Sequence, residues 1–285
     1  MSDARARTLA DAARAEASLR RVAGLADMST SQLTAVLRDP DRAAPWVRAA
    51  AIHGVREAQL RLGRMLLEGE GVEKDAAAAL RWFGRAAKAG DGEAMNMVGR
   101  CHENGWGTLS DDHEACAWYR RSAETGHDWG EYNYAHMLFD GRGVPLDRVE
   151  ALKWYRRAAE RGHARAMNLV GRCLEAGWGA GPDPAAAEVW YERSARAGYY
   201  RAQYNHALTL LRRGRVREAE DWLARAYEAG DAAMRAQIEA LSAPAAQPSL
   251  ASAAAGTMVT LSPQPQASVS LGLWKTNLAD SLLTS

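Results

Sequence analysis

Arg100 and Arg172 stand 72 residues apart in two stretches, AMNMVGRCHENGWG and AMNLVGRCLEAGWG, that agree at 11 of 14 positions. Asn96 and Asn168 precede them by one helical turn, and two Tyr-Asn pairs, Tyr132–Asn133 and Tyr204–Asn205, recur at the same 72-residue interval. These side chains offer recognition and not bond-breaking. An asparagine amide presents two donors and an acceptor, the complement of the main-chain groups of an extended peptide. Arginine adds a planar fork that matches a carboxylate, and tyrosine gives a large contact area at small entropic cost. The same spacing has a plainer reading. Arg100 is placed to pair with Glu103, and Arg172 with Glu175, along one helix face, pairs worth only about 0.3 kcal/mol. A duplicated block also keeps its residues by descent alone.

Signs of catalysis are missing. There is no GxSxG elbow and no Walker loop. The glycine-rich GWGAG at Gly177–Gly181 follows helical sequence, whereas a phosphate loop follows a strand. His127 and His163 occupy equivalent positions after a glycine, the other histidines are scattered, and no HExxH or similar ligand spacing occurs, so neither a metal nor a cofactor is expected. Cys101, Cys116 and Cys173 form no CxxC pair and suit buried, reduced thiols. A net charge of +1 gives no case for nucleic acid. Arginine outnumbers lysine 32 to 4, a bias to be discounted before any arginine cluster is read as functional. No apolar run approaches the length of a membrane span. The charged N-terminal stretch lacks the apolar core of a secretory signal, so the expected location is cytoplasmic.

What must position these side chains is a repeat. Trp82, Trp118, Trp154 and Trp190 follow one another at 36-residue intervals, and Trp46 lies one period upstream. In the same frame glycines recur at Gly69, Gly105, Gly141 and Gly177 and again two residues later, aspartates at Asp75, Asp111, Asp147 and Asp183, and closing glycines at Gly90, Gly126, Gly162 and Gly198. Each period reads as two helices. The first runs from about Ala58 to Glu68 and stops at glycines able to adopt positive φ; the second begins at the aspartate, whose carboxylate can cap its first turn. Small residues at Gly63, Gly99, Ala135, Gly171 and Ala207 fall mid-helix, where glycine costs about 1 kcal/mol, so close packing is expected there. The period tryptophans, on the second helix, are expected in the inter-repeat core. Trp106 and Trp178, between the loop glycines, are expected to pack over a helix end, with an exposed edge contact as the alternative.

The resulting pattern, A-x₄-G-x₅-G-x-G-x₃-D-x₃-A-x₂-W-x₃-A-A-x₂-G, resembles the Sel-1-like repeat family, relatives of the tetratricopeptide repeats. The resemblance covers roughly residues 46 to 233. Ser122 and Ser194 depart from it by replacing the first alanine of the usual pair, and Leu109 stands where valine or proline is usual. It implies an all-α fold, an α-α superhelix or solenoid of antiparallel helix pairs. It also implies an adaptor or scaffold that binds a peptide or helix segment of another protein; with the charge, apolar runs and missing motifs above, no nucleic acid, membrane or enzymatic role is expected. Some phrases, DWGEYNYAHMLFDGRGV among them, also look like a bacterial subgroup encoded beside iron–siderophore uptake genes. An accessory or regulatory subunit of an enzyme or of such a system is therefore the alternative. By tetratricopeptide geometry the first helices line the concave face, and Asn96, Arg100, Tyr132, Asn133, Asn168, Arg172, Tyr204 and Asn205 fall on inward positions.

The domain plan expected is an N-terminal helical extension over 1–28, capping helices over 29–57, and repeats over 58–93, 94–129, 130–165, 166–201 and 202–233. The last repeat is shortened by about four residues and lacks the double-glycine loop. From 234 to 285 a mostly disordered tail is expected, rich in alanine, serine, proline and glutamine. Near its end, LGLWKTNLADSLL has helical-looking leucines and reads either as a non-functional tail or as a motif that folds on binding or docks back on the solenoid.

Overall fold

Aspartate and glycine set the helix ends where their spacing demands. A computed structural model describes residues 38–242, and among these residues there are twelve α-helices and no strand. They are α1 (Pro40–Ile52), α2 (Arg56–Glu68), α3 (Ala76–Lys88), α4 (Gly92–Asn104), α5 (Asp112–Glu124), α6 (Asp128–Asp140), α7 (Arg148–Glu160), α8 (Ala164–Ala176), α9 (Pro184–Arg196), α10 (Tyr200–Arg212), α11 (Val216–Ala229) and α12 (Ala232–Ser242). The chain divides into two compact units at Thr125/Gly126. The described part of the first holds α1–α5, and that of the second holds α6–α12.

Within each unit consecutive helices pack as adjacent pairs, the arrangement of an α-solenoid. Asp75, Asp111, Asp147 and Asp183 each accept hydrogen bonds from first-turn amides of the second helix, as in Asp147 Oδ1 from Glu150 N at 2.9 Å. These bonds satisfy donors that the helix itself leaves open. At the other end Gly69 adopts φ +79°, and the amides of Gly69 and Glu70 both return to the Met65 carbonyl. The second glycine of the loop has a different reason. A Cβ on Gly71 would lie 2.2 Å from the Pro40 carbonyl oxygen, one on Gly107 2.3 Å from that of Ala76, and one on Gly179 2.1 Å from that of Arg148. The loop tip therefore rests on the backbone at the start of the preceding pair's second helix.

The mid-helix glycines of the first helices each meet an aromatic ring. A Cβ on Gly63 would come within 2.4 Å of Phe83, one on Gly99 within 2.7 Å of Tyr119, and one on Gly171 within 2.7 Å of Tyr191. This corrects the expectation for the tryptophans. Trp82, Trp118, Trp154 and Trp190 are half-buried at the edge of the cores, and the deepest ring belongs to the next residue, Phe83, Tyr119, Tyr155 or Tyr191. Each tryptophan instead lies under the arginine three residues on, with guanidinium-to-ring distances of 4.4, 4.6, 4.2 and 5.0 Å at Arg85, Arg121, Arg157 and Arg193. A helix turns about 100° per residue, so when the next residue's ring faces the glycine the tryptophan lies to one side and covers the pair from outside, stacked under a cation.

The first helix of the first repeat begins at Arg56, two residues before the expected start, and α1 supplies the second helix of the incomplete unit in front of it. Helix α12 crosses the boundary expected at 233/234. The N-terminal extension, the SQLTAVLR segment save Arg38, and the tail beyond 242 lie outside the described residues. Cys101, Cys116 and Cys173 are buried and free, and burial pushes their thiols up to about 12, 11 and 12.

Candidate protein-interaction face

In the first unit, α4 places Asn96 and Arg100 one turn apart. Asn96 is buried, while Arg100 is half-buried with its guanidinium 5.1 Å from the ring of Trp106. The Arg100 Nε atom is shut off from solvent with no hydrogen-bond partner among the described residues. Glu103 accepts a 2.5 Å hydrogen bond from the Tyr119 hydroxyl, which ties the first helix to the second. Arg64 and Glu93 join α2 to α4 by an ion pair.

In the second unit the same constellation returns on α8. Arg172 lies 5.6 Å from the ring of Trp178, and Glu175 accepts from the Tyr191 hydroxyl at 2.7 Å and from Arg212 at 2.7 Å. The carboxylates proposed as partners of Arg100 and Arg172 thus also serve as acceptors for a buried tyrosine. Asn168 is buried and accepts from Asn205 Nδ2 at 2.8 Å, so two of the candidate asparagines bind each other across neighbouring first helices. Asn133 is buried as well. Tyr204 is buried among Ala226, Met234 and Ile238.

Tyr132 belongs to an aromatic cluster. It stacks on His163 at 4.7 Å and meets Trp129 and His136 edge-on at 5.9 and 4.6 Å. The Tyr155 hydroxyl pairs with His136 Nδ1 at 2.9 Å, and His163 Nδ1 accepts from Ala166 N at 3.1 Å, capping α8. Burial holds both imidazoles neutral, with His136 depressed to about 3 and His163 to about 4. Glu131, fully buried, lies 3.2 Å from Arg157 Nε and 3.4 Å from Arg161 Nε. Burial raises its carboxyl above the ordinary range against the pull of those two cations.

Of the eight residues singled out by sequence, Asn96, Tyr132, Asn133, Asn168 and Tyr204 are therefore buried in the folded chain, and Arg100, Arg172 and Asn205 reach solvent in part. The structure adds neighbours that sequence reasoning passed over. Arg148 lies 5.7 Å from the ring of Trp178 and 5.1 Å from that of Phe139, and the two rings meet edge-on at 5.4 Å. One indole is thus flanked by two guanidiniums, with Leu146 (58% exposed) and Val149 (55% exposed) on the adjoining loop and helix. Two guanidiniums beside an exposed apolar patch have the chemistry to accept a carboxylate next to an apolar side chain. The available signal was Trp178 in its glycine loop. Arg148 gave none, because it precedes Trp178 by thirty residues and only the stacking of neighbouring pairs unites them. Among the described residues no group of His, Cys, Asp or Glu could hold a metal ion, and no helix is long and apolar enough to cross a membrane.

The model of the Sel1 repeat matches the chain five times, at residues 56–91, 92–127, 130–163, 164–199 and 201–231. The chain belongs to the Sel1 repeat family. No curated protein matches it. Two solved structures carry the likeness further. A Sel1 repeat protein from Oxalobacter formigenes is 29% identical with a TM-score of 0.61, over 68% of this chain and 83% of that one. The protein c5321, described as a protective antigen present in uropathogenic Escherichia coli strains with an SLR fold, is 26% identical with a TM-score of 0.63. That match covers 80% of this chain and 48% of c5321, so the chain spans about half of that relative. Sel1 repeat solenoids are in general protein-interaction scaffolds.

Proposed function

We propose that this Sel1 repeat protein binds an extended or helical segment of another protein on the face lined by its first helices, the concave face of this repeat class. The observation that carries the reading is the pair of half-exposed arginine–tryptophan stacks, Arg100 on Trp106 and Arg172 on Trp178, built twice in the same way. A guanidinium already stacked and half desolvated loses little freedom on meeting a carboxylate, which favours binding. Arg148 adds donors beside Trp178, and Asn205, half-buried, has an amide hydrogen beyond the one it gives Asn168. In this proposal the buried members, Asn96, Tyr132, Asn133, Asn168 and Tyr204, hold the helices in register beneath the contact surface. The chain contributes binding and no catalytic step.

Affinity capture compared between the wild type and an Arg100→Glu, Arg172→Glu double variant tests this. A partner retained by the wild type and lost by the folded variant is the expected result. Partners unchanged in the variant would overturn the reading.

A further inference from the structure

Helices α7, α9 and α11 occupy the same position in successive repeats of the second unit, yet among the described residues α11 is the least covered of the three. The residue after the period tryptophan is 1% exposed in α7 (Tyr155) and in α9 (Tyr191), whereas its counterpart in α11, Leu223, is half-exposed. Four residues further on stand Ala159 and Ala195, both buried; the counterpart in α11 is Tyr227, 38% exposed. The cause is the number of helices packed beyond each one. Helices α7 and α9 each precede a complete helix pair, whereas α11 precedes, among the described residues, only the single helix α12. An open groove of about 330 Å³ marks the place, lined by Glu220, Leu223, Ala224, Tyr227, Glu228 and Ile238.

The groove is preformed. Tyr227 donates from its hydroxyl to Glu239 at 2.7 Å, and Arg235 Nε donates to the Tyr227 carbonyl at 3.1 Å, so the ring is held as a floor. Its edges are acidic. Glu220 and Glu228 have no ion-pair partner among the described residues, and residues 216–242 hold six acidic against three basic side chains in a chain of net charge +1. Residues 243–285 carry one lysine and one aspartate and cannot supply the missing positive charge.

We propose that this groove is a docking seat for a basic amphipathic helix of a partner protein. The helix lies where a further second helix would pack, with apolar residues on Leu223, Ala224, Tyr227 and Ile238 and lysines or arginines toward Glu220 and Glu228. This is helix-in-groove recognition read at spacings of three and four residues, and it is independent of the first-helix face.

The test uses the full chain and a fluorescein-labelled leucine–lysine peptide patterned as an amphipathic helix, with a scramble of the same composition beside it. Anisotropy is expected to show saturable binding of the patterned peptide only, weakened about tenfold or more by Tyr227→Ser, which removes the apolar ring without adding charge. The charge reversal Glu220→Arg, Glu228→Arg should weaken it similarly and should favour a leucine–glutamate peptide of the same pattern. Equal affinity for the scramble, or affinity unmoved by either folded variant, overturns the proposal. A second measurement reads the seat without any peptide: an Ala224→Cys variant is expected to react at once with a maleimide, the three native thiols being buried. Shielding that disappears on dilution would make a second copy the occupant, and shielding that persists would make it the chain's own residues; either overturns the proposal.

Discussion

Gly171→Ala sets helix propensity against packing, and the structure decides the winner. Alanine in place of a mid-helix glycine is worth about 1 kcal/mol by propensity alone. The new Cβ would meet Cδ1 and Cε1 of Tyr191 at 2.7 Å and the Ala187 carbonyl oxygen at 3.2 Å. Ordinary carbon contacts lie near 3.5–4.0 Å, so the ring must retreat by roughly 1 Å. Tyr191 is 1% exposed and its hydroxyl is held by Glu175 at 2.7 Å, which leaves it nowhere to go without straining that bond. Overpacking of this kind costs about 1–3 kcal/mol, and weakening a buried hydrogen bond adds about 1 kcal/mol. The net expectation is a loss of about 1–3 kcal/mol, read as a lower urea midpoint with an unchanged slope. The third repeat carries alanine at this site, Ala135, beside Tyr155, but there the hydroxyl turns to His136 and not to a glutamate; the fifth, with Ala207, replaces the ring by Leu223. The double variant Gly171→Ala, Tyr191→Leu should therefore show a favourable coupling of at least about 1 kcal/mol in a double-mutant cycle. A single variant as stable as the wild type, or more stable, would refute the claim that this glycine exists for the ring.

The same geometry dictates three further outcomes. Asp147→Ala removes the acceptor for Glu150 N and should cost about 1 kcal/mol, seen as faster hydrogen exchange in the first turn of α7. His136 and His163 are buried neutral with folded values of about 3 and 4, so the unfolded chain gains protons near pH 6.5 that the folded chain refuses. The stability they secure is complete above that value and is lost as pH falls toward 4, at up to about 1.4 kcal/mol per pH unit for each histidine. His163→Asn, which keeps a capping side chain, should remove one proton's share of the slope in urea titrations across that window. Finally, with Cys101, Cys116 and Cys173 buried and their thiols held protonated, a disulfide reagent should label none quickly in the native chain and all three in urea.

The helices, their caps and their pairing were legible in the sequence because each rests on local chemistry that a single residue type announces: Asp147 as a cap, Gly69 at positive φ, Gly171 where something must come close. Identifying what comes close needed three dimensions. The period tryptophan is the most visible residue of the repeat, yet the ring on Gly171 belongs to Tyr191, because a helix turns about 100° per residue and the neighbour of Trp190 faces inward. The candidate face was legible in part. Arg100 and Arg172 were found through their duplicated block, and Trp178 through its glycine loop. The burial of Asn168 and its bond to Asn205 were not, since period alone cannot distinguish an amide facing solvent from one spent on the neighbouring helix. Arg148 escaped for the same reason: it joins Trp178 only when successive pairs stack.

The most direct test of the central claim is hydrogen exchange on the full chain with and without a captured partner. Slowed exchange along α4 and α8 and in the loops holding Trp106 and Trp178, reduced when Arg100 and Arg172 are reversed to glutamate, is the result expected of a first-helix binding face. A footprint confined to the second helices, with those segments unchanged, would contradict it.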